Sequence, residues 1–547
     1  MRQHRNGKGT QTRLNPPPLT RVRYASRASA FPEVTADQVD HKTSEAARGR
    51  AIAYDLSAIF RIECAPYNRH LPQRGYGVHG SDSLWKGKMI HRLEADLWGM
   101  SMAFGDLRVE DRFEWCVERI MATGSLHPRS IGGTRGGEMA VHRFLSSPHV
   151  SVEEIVSAAA ARTAAACAGR DVLVVQDTTE VNFAGRERKR RGFGPGGNGE
   201  AAGFFIHGAI AVDREEEAVL GPVHAAIWTR SREEKEARKD RPLEEKESVR
   251  WLHGCQASSD LLHAAARVTM VADAESDIYE VFARRPEGLE LILRAAQNRS
   301  LKKGELLFET IARAPLLGSN EVRVAPRGPG DKGRTAKVEL RVLNVEIACP
   351  HHLVKGDIAK TVRLNCVEAR EVHPPTSVKT PLLWVLLTTY PVEDFEGAKR
   401  ITDLYRLRWR IEQVFRSLKS DGLDIEDSQI VDAERIFNLA AMGLIGAIRT
   451  IQLVDARDGS RRPASDVLDD RFGAALVAIS KDLEGNTARQ KNPHSPGSLA
   501  FVAWVAARLG GWNCYYKPPG PKTMRNGWNR LAPMLHGYLL ARQRKNP

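Results

Sequence analysis

The strongest constraint on the fold is a series of strand patterns between residues 171 and 295. Three apolar segments follow one another directly and are predicted to be strands: "DVLVVQ" (171–176), "GFFIHGAIAVD" (203–213) and "AVLGPVHAAIW" (218–228). A helix is predicted from Leu243 to Ala266, and two further strands, "RVTMVA" (267–272) and "LELILRA" (289–295), then alternate with helical segments. Consecutive strands followed by such alternation predict a mixed sheet flanked by helices.

This order of elements is similar to a ribonuclease H-like core. We therefore expect an α/β protein with a ribonuclease H-like mixed-sheet catalytic core and a β-rich insertion, flanked by helical N- and C-terminal domains. Because "NPPPL" and many Arg, Ser and Gly residues occur before Met89, we expect a disordered extension and hypothesise that translation naturally starts at Met89. The predicted domains are a disordered basic extension (1–90), a helical domain (91–167), the core (168–297 and 396–455), the insertion (298–395) and a helical C-terminal domain (456–547).

Composition favours a polyanionic partner. The 547 residues include 81 Lys and Arg against 67 Asp and Glu, which gives a formal net charge of +14. The apolar run "LAAMGLIGAI" is shorter than the roughly 20 residues that a membrane span needs, and no secretory pattern is present, so we expect a soluble intracellular protein. The seven cysteines include no CxxC pair, and "CPHH" (349–352) lacks a second ligand pair for zinc.

An amphipathic segment, "YRLRWRIEQVFRSLKS" (405–420), carries an unusual polar stripe. On one continuous helix, at about 100° per residue, Tyr405, Arg408, Glu412 and Lys419 would point within roughly 60° of one direction. A nucleic-acid strand could meet the two cations and the phenol with successive phosphates, while Glu412 binds something cationic between them. An ordinary solvated face supported by the Arg408–Glu412 pair is the alternative.

Two carboxylates stand at predicted strand ends, Asp177 in "VVQDTT" and Asp273 in "MVADAESD". Either aspartate alone would be a common turn or cap residue. Together with Glu412 they form a set of hard oxygen ligands suited to two Mg²⁺ ions, which in a two-metal site stabilise the attacking and leaving oxygens of phosphoryl transfer. Asp177, Asp273 and Glu412 are therefore the candidate catalytic residues and metal ligands, with Mn²⁺ as a substitute ion.

These residues together resemble a known family. Asp177, Asp273 and Glu412, with Tyr405, Arg408 and Lys419 at the spacing Y-x₂-R-x₃-E-x₆-K, are similar to the Y-R-E-K signature of the insertion-sequence-four family of bacterial DDE transposases. Further segments resemble family segments in the same order: "FGDLRVEDRF", "HRFLSSPHVS", "DTT", "EEKESVRWL", "DAESDIYEVF", "PLLWVLLTTYPV" and "RLGGW". The resemblance covers residues from about 92 to 542.

The resemblance implies cut-and-paste transposition of double-stranded DNA. Family members nick one strand at the element end, form a hairpin with the released 3′ hydroxyl, reopen it and join the end to target DNA. Tyr405, Arg408 and Lys419 match residues that grip the phosphate of a flipped base, and Trp384 matches the residue that stacks on that base, although "PLLWVLL" could instead place Trp384 in the core. The implied partners are inverted-repeat ends and target DNA, bound by a homodimer in the bacterial cytoplasm at the nucleoid.

Other basic residues are weaker candidates for DNA contacts. Arg294 matches a family position near DNA, and Arg190 and Arg191 lie in the basic loop "GRERKRRGFGPGGNG" (185–199). Arg135 and Arg143 lie in "GGTRGGEMAVHRF", within the helical segment that we expect to recognise transposon ends. For each of these arginines a solvated surface position is the alternative, and the helical segment could be a plain packing domain.

Two other functions remain open from the sequence. A ribonuclease H-like nuclease could cut branched DNA without strand transfer, although simple hydrolysis gives no reason for a β insertion that carries Trp384. A catalytically decayed transposase remnant could still bind DNA, although all three acidic residues are present.

Overall fold

The computed structural model describes residues 104–183, 190–197, 201–230, 243–324, 333–354, 357–419 and 422–545. The predictions for residues 1–90, including the start at Met89, lie outside these ranges, as does much of the basic loop at 185–199.

Ten strands of the described chain form one sheet. They are β1 Asp171–Asn182, β2 Gly194–Pro195, β3 Ala202–Asp213, β4 Val219–Trp228, β5 Arg267–Ala272, β6 Leu289–Arg294, β7 Leu316–Val324, β8 Arg334–Ala348, β9 Thr361–Glu371 and β10 Leu383–Thr388. Their order is β2-β3-β1-β5-β6-β10-β9-β8-β7, with β4 paired to β3.

The centre of the sheet combines both kinds of strand pairing. Strand β1 is antiparallel to β3 and parallel to β5, β5 is parallel to β6, and β4 is antiparallel to β3. Almost every residue of β3 is buried, as is the first half of β1 after Asp171, as expected for strands covered on both faces. The fold is therefore mixed α/β with a large mixed sheet, which is consistent with a ribonuclease H-like core.

The strands of the region predicted as an insertion continue this same sheet. Strand β10 is antiparallel to β6, with Leu386 opposite Arg294 and Thr388 opposite Ile292. Strands β9, β8 and β7 follow in antiparallel order. This arrangement places the strand that carries Trp384 next to the last parallel strand of the core.

The helices pack around the sheet and on one another. They are α1 Leu107–Thr123, α2 Pro128–Gly132, α3 Arg135–Leu145, α4 Val152–Cys167, α5 Val249–Leu261, α6 Tyr279–Ala283, α7 Leu307–Ala312, α8 Phe395–Arg406, α9 Trp409–Lys419, α10 Ala433–Ala456, α11 Gly473–Leu483, α12 Leu499–Leu509 and α13 Pro521–Lys545.

Helix α10 is the central packing element among them. Its Asn438 side chain donates hydrogen bonds to the carbonyls of Leu145 and Val150, which attaches the N-terminal helices, and Gln452 donates to the carbonyl of Leu220 in β4. At 24 residues it is long and apolar enough to cross a membrane, but 89% of its most apolar window is buried inside the protein, as in a core helix. The sequence argument that the apolar segment is shorter than a membrane span is therefore wrong as to length, because the helix continues past Arg449 to Ala456.

Two predicted element boundaries are wrong. The single helix expected from Leu243 to Ala266 is a short 3₁₀ turn at Leu243–Glu245 followed by α5, which ends at Leu261. Strand β1 does not end before Asp177 but continues to Asn182, because it keeps its antiparallel partner β3 after β5 has ended. Asp177 therefore lies within a strand rather than at its end.

Candidate active site

Asp177 and Asp273 lie side by side on neighbouring parallel strands. Gln176 of β1 is paired with Ala272, the last residue of β5, so Asp177 is the next residue of β1 and Asp273 directly follows the end of β5. The Asp273 side chain accepts a hydrogen bond from the backbone N–H of Glu275 at 3.0 Å and so caps a short turn. The cap role considered for Asp273 is therefore real, and it leaves one carboxylate oxygen free of that bond.

Helix α9 brings Glu412 close to Asp177. Its neighbours Ile411 and Phe415 pack against Gly208, which is opposite Asp177 in the β1–β3 register. A Cβ at Gly208 would lie 3.4 Å from Phe415, so a side chain larger than alanine would push the helix away. Arg410 donates to Asp455 of α10 at 2.8 Å and fixes the other side of α9.

Arg408 connects two of the three acids directly. Its guanidinium donates to Asp177 Oδ2 at 3.1 Å and to Glu412 Oε1 at 2.6 Å. The side chain of Arg408 is only 11% exposed, and those of Asp177 and Glu412 are 16% and 29% exposed. Such partly buried, charge-assisted bonds are stronger than surface ion pairs.

The electrostatics of the site concentrate on Asp177. Burial, together with the negative charges of Asp273 and Glu412, raises the pKa of the Asp177 carboxyl to about 7, although Arg408 and the bond from the N–H of Thr178 act in the opposite direction. Asp273 and Glu412 are therefore close enough to Asp177 to change its pKa. A carboxyl group with a strongly raised pKa is common at functional sites.

Among the described residues, no group of three His, Cys, Asp or Glu side chains is arranged to hold a metal ion. The donor chemistry of Asp177, Asp273 and Glu412 nevertheless fits a hard divalent cation, which prefers carboxylate oxygens. Arg408 is bonded to two of these acids, and their surplus negative charge is what a divalent ion would neutralise. The chemistry of these carboxylates therefore fits such an ion.

The polar stripe expected along one helix is divided between two. Helix α8 ends at Arg406, α9 begins at Trp409, and Leu407 and Arg408 form a tight turn in which each N–H bonds the carbonyl three residues earlier. The prediction of a continuous helix from Tyr405 is therefore wrong. Neither proline nor glycine marks this break, so tertiary packing has overridden a strongly helical local sequence.

Tyr405 and Trp384 form a buried aromatic pair beside the acids. Their ring centres are 4.9 Å apart in an edge-to-face arrangement, and their exposed fractions are 2% and 8%. Burial raises the pKa of the Tyr405 phenol to about 12, while the positive charges of Arg408 and Arg294 act in the opposite direction. In this conformation Trp384 occupies the core position that the sequence left as an alternative to base stacking.

The remaining candidate cations have different surroundings. Lys419 donates to the carbonyl of Glu180 at 2.5 Å and lies 3.3 Å from a carboxylate oxygen of Glu426. Arg294 is exposed at the end of β6, with a long contact of 3.4 Å to the carbonyl of Leu383. Arg190 is half-buried, stacks on Phe183 and donates to the carbonyls of Ser428 and Ile430.

Three further candidate arginines lie on the surface. Arg191 is exposed next to Arg190, where its backbone bridges to Asp432. Arg135 and Arg143 are exposed on α3, and Arg135 pairs with Glu138 at 3.1 Å. Arg135 is the first residue of this helix and Arg143 lies in its last turn, and their contact with DNA stays a prediction.

Sequence reasoning missed a polar network behind Asp177. His207 lies 3.0 Å from Thr178 Oγ1 and 3.2 Å from Gln176 Oε1, and Arg250 donates to the same threonine oxygen and to Glu275. Gly254 permits this packing, because a Cβ there would be 2.3 Å from Gln176 Oε1. "EEKESVRWL", which contains Arg250, was quoted only as a family-like segment, and no spacing rule identifies a histidine in a buried strand.

The protein has a large mixed sheet with two neighbouring acids, and a third acid on a helix faces them. This arrangement is consistent with the class of ribonuclease H-like phosphoryl-transfer enzymes. Residues 226–447 match the family described as transposase DDE domain. This range includes Asp273 and Glu412 and begins after Asp177. The match supports a DDE transposase and thus implies a polynucleotidyl transferase or endonuclease that acts on DNA with divalent metal ions.

Proposed function

We propose that the protein is a cut-and-paste transposase of the insertion-sequence-four family that forms and resolves DNA hairpins at the element ends. The observation that carries the proposal is the parallel register that sets Asp177 beside Asp273, with Glu412 facing Asp177 across Arg408. Three acids from distant parts of the chain gather at one edge of the sheet, which is what metal-dependent phosphoryl transfer needs.

Asp177, Asp273 and Glu412 would hold Mg²⁺ ions, with Mn²⁺ as a substitute, and the bound ions would activate a nucleophilic oxygen and stabilise the leaving oxygen. In the first step water attacks the phosphorus and the bond to the 3′ oxygen breaks, which releases a 3′ hydroxyl. That hydroxyl attacks the opposite strand to close a hairpin, a second water reopens it, and the hydroxyl then attacks target DNA. Each step forms one P–O bond and breaks another without an enzyme-bound intermediate; the two attacks by water are hydrolyses, and the two attacks by the 3′ hydroxyl make a new phosphodiester.

The cations and aromatic rings around the acids would hold the DNA. Arg408 and Lys419 would pair with phosphates, and Arg294, Arg190, Arg191, Arg135 and Arg143 would extend the contact surface. Trp384 would stack on a flipped base, for which its ring must leave the packing against Tyr405. The helical segment at 91–167 would recognise the ends and the segment at 456–547 would join two subunits in the cytoplasm, at the nucleoid.

The decisive test incubates the purified protein with the terminal inverted repeats of its own element and Mg²⁺. Glu412→Ala should bind the ends with near-normal affinity but form no nicks or hairpins, because a metal ligand has been removed. Glu396→Ala is a matched control, since Glu396 is an exposed glutamate in the first turn of α8. Normal cleavage by the Glu412 variant would refute the assignment, and nicks without hairpins in the unaltered protein would favour the structure-specific nuclease.

Trp384→Ala tests the base-stacking role. We expect nicking to continue while hairpins accumulate more slowly, because the flipped base loses its stacking surface. Since Trp384 is also buried, the variant should lose about 3 kcal/mol of stability, so both proteins are compared well below their unfolding midpoints. Trp384→Phe is the control that keeps an aromatic ring against Tyr405; equal hairpin yield from all three proteins would remove Trp384 from the mechanism.

A further inference from the structure

Arg408 is placed so that one side chain neutralises acids from two different elements. It emerges from the turn between α8 and α9 and donates separate bonds to Asp177 of β1 and Glu412 of α9. The forked guanidinium is suited to such a double contact, because its N–H groups point in fixed, divergent directions. With 11% exposure, it is largely protected from water.

Both oxygens of the Asp177 carboxylate are already in use. Oδ2 accepts from Arg408 at 3.1 Å, and Oδ1 accepts from the backbone N–H of Thr178 at 2.7 Å. A divalent ion held by Asp177 and Glu412 would compete with the guanidinium for the same two carboxylates. Two cations a few ångströms apart in a partly buried site repel one another strongly, so simultaneous occupation is unfavourable.

We propose that Arg408 is the resident counter-cation of the Asp177–Glu412 pair, and that it leaves this pair when a divalent ion enters. Arg408 then sets the affinity of the site for the ion, because each binding event includes the cost of breaking two charge-assisted bonds. This inference rests on the proposed function, since it requires the three acids to be the ion ligands.

The displaced side chain remains next to the bound ion, tethered by its short turn. Its guanidinium lies 5.2 Å from the ring centre of Trp409, which offers an alternative surface for stacking. A guanidinium released from carboxylates beside a divalent ion is free to bind a phosphate. Linkage then requires that the ion strengthen phosphate binding and that a bound phosphate strengthen ion binding by the same factor.

Mn²⁺ binding to the full-length, chelator-treated protein without DNA tests this exchange, with free Mn²⁺ measured by electron paramagnetic resonance. Arg408→Gln should bind Mn²⁺ on the order of tenfold more tightly than the unaltered protein, the usual size of such coupling. Arg408→Lys should change affinity in the same direction but less, because one ammonium cannot reproduce the fork. Arg416→Gln is the matched control: it removes an exposed arginine about two turns further along α9 and should change affinity less than twofold.

Asp177→Asn separates failure of this inference from failure of the proposed function. If Asp177→Asn abolishes tight Mn²⁺ binding while Arg408→Gln binds with equal or lower affinity, the acids hold the ion and the exchange is wrong. If Asp177→Asn leaves Mn²⁺ binding unchanged, the metal site itself is wrong. Circular dichroism verifies that each variant is folded, and Arg408→Lys supplies the comparison if the glutamine variant is not.

Discussion

At the scale of single residues, the site is built at the expense of stability. Asp177 is a largely buried carboxylate beside two other acids, and its pKa is raised by burial to about 7. The compensating contact with Arg408 reduces the repulsion without removing it. Functional sites often keep such unfavourable groups because the reaction needs them.

Asp177→Asn should therefore stabilise the protein when divalent ions are absent. The pKa of the Asp177 carboxyl is about 7 in the folded protein, whereas its ordinary value, expected in the unfolded chain, is 3.8. Between pH 3.8 and about pH 7 the folded state of the unaltered protein therefore keeps a proton that the unfolded state has lost. Its free energy of unfolding thus falls as pH rises from about 4 to about 7. The free energy of unfolding of Asp177→Asn does not fall in this way. Above pH 7 the variant should therefore be more stable than the unaltered protein by at most about 4 kcal/mol, and by less than that because Arg408 loses the charged partner Asp177.

Thermal unfolding in a chelating buffer at pH 4 and pH 8 measures this difference. The two proteins should differ far less at pH 4 than at pH 8. An advantage of equal size at both pH values would contradict the raised pKa, since an effect of packing alone does not depend on protonation.

At the scale of elements, strands were predicted better than helix boundaries. The strand "RVTMVA" (267–272) matches β5 because it is a short apolar run ended by a polar turn. The turn at Leu407 and Arg408 was not predictable from local signals, because it depends on contacts between Arg408 and Asp177, which are 231 positions apart. The three acids were proposed from the sequence and their catalytic role stays a prediction, whereas the network of His207 and Thr178 could not be proposed because it depends on strand pairing.

One ion pair holds the turn after β5 against the loop after β6. Asp277 accepts from Arg299 Nε at 2.7 Å and from the N–H groups of Ala296 and Gln297, and both charged side chains are at most 5% exposed. Asp277 therefore ties the turn after β5 to this loop. The contact lies four residues after Asp273 and so supports its position.

Asp277→Ala should cost about 3–5 kcal/mol of stability, because it leaves the Arg299 guanidinium buried without its counter-charge. Lys302→Ala is a control from the same region: it removes an ion pair with Glu346 whose lysine is 60% exposed, and should cost less than about 1 kcal/mol. Urea unfolding followed by fluorescence compares the two variants. Similar small losses would indicate that the Asp277–Arg299 contact contributes little.

At the scale of the whole molecule, the net charge of +14 predicts DNA affinity that depends strongly on salt. Replacing both Arg135 and Arg143 of α3 by Gln should weaken binding to the inverted repeats and reduce the slope of log affinity against log salt by about two. The control pair, Arg461→Gln with Arg489→Gln, removes equal charge from exposed positions in the proposed association segment. Equal slopes for both double variants would argue against end recognition by α3.

The joining of β10 to β6 has a mechanical consequence. Backbone pairing runs from the parallel strands through Leu386 and Thr388 into the outer antiparallel strands, so Trp384 and the acids share one stiff framework. A movement of the outer strands away from the core would require the backbone hydrogen bonds between β6 and β10 to break. A base can therefore reach the indole ring only if side chains near Tyr405 repack locally while the sheet stays rigid.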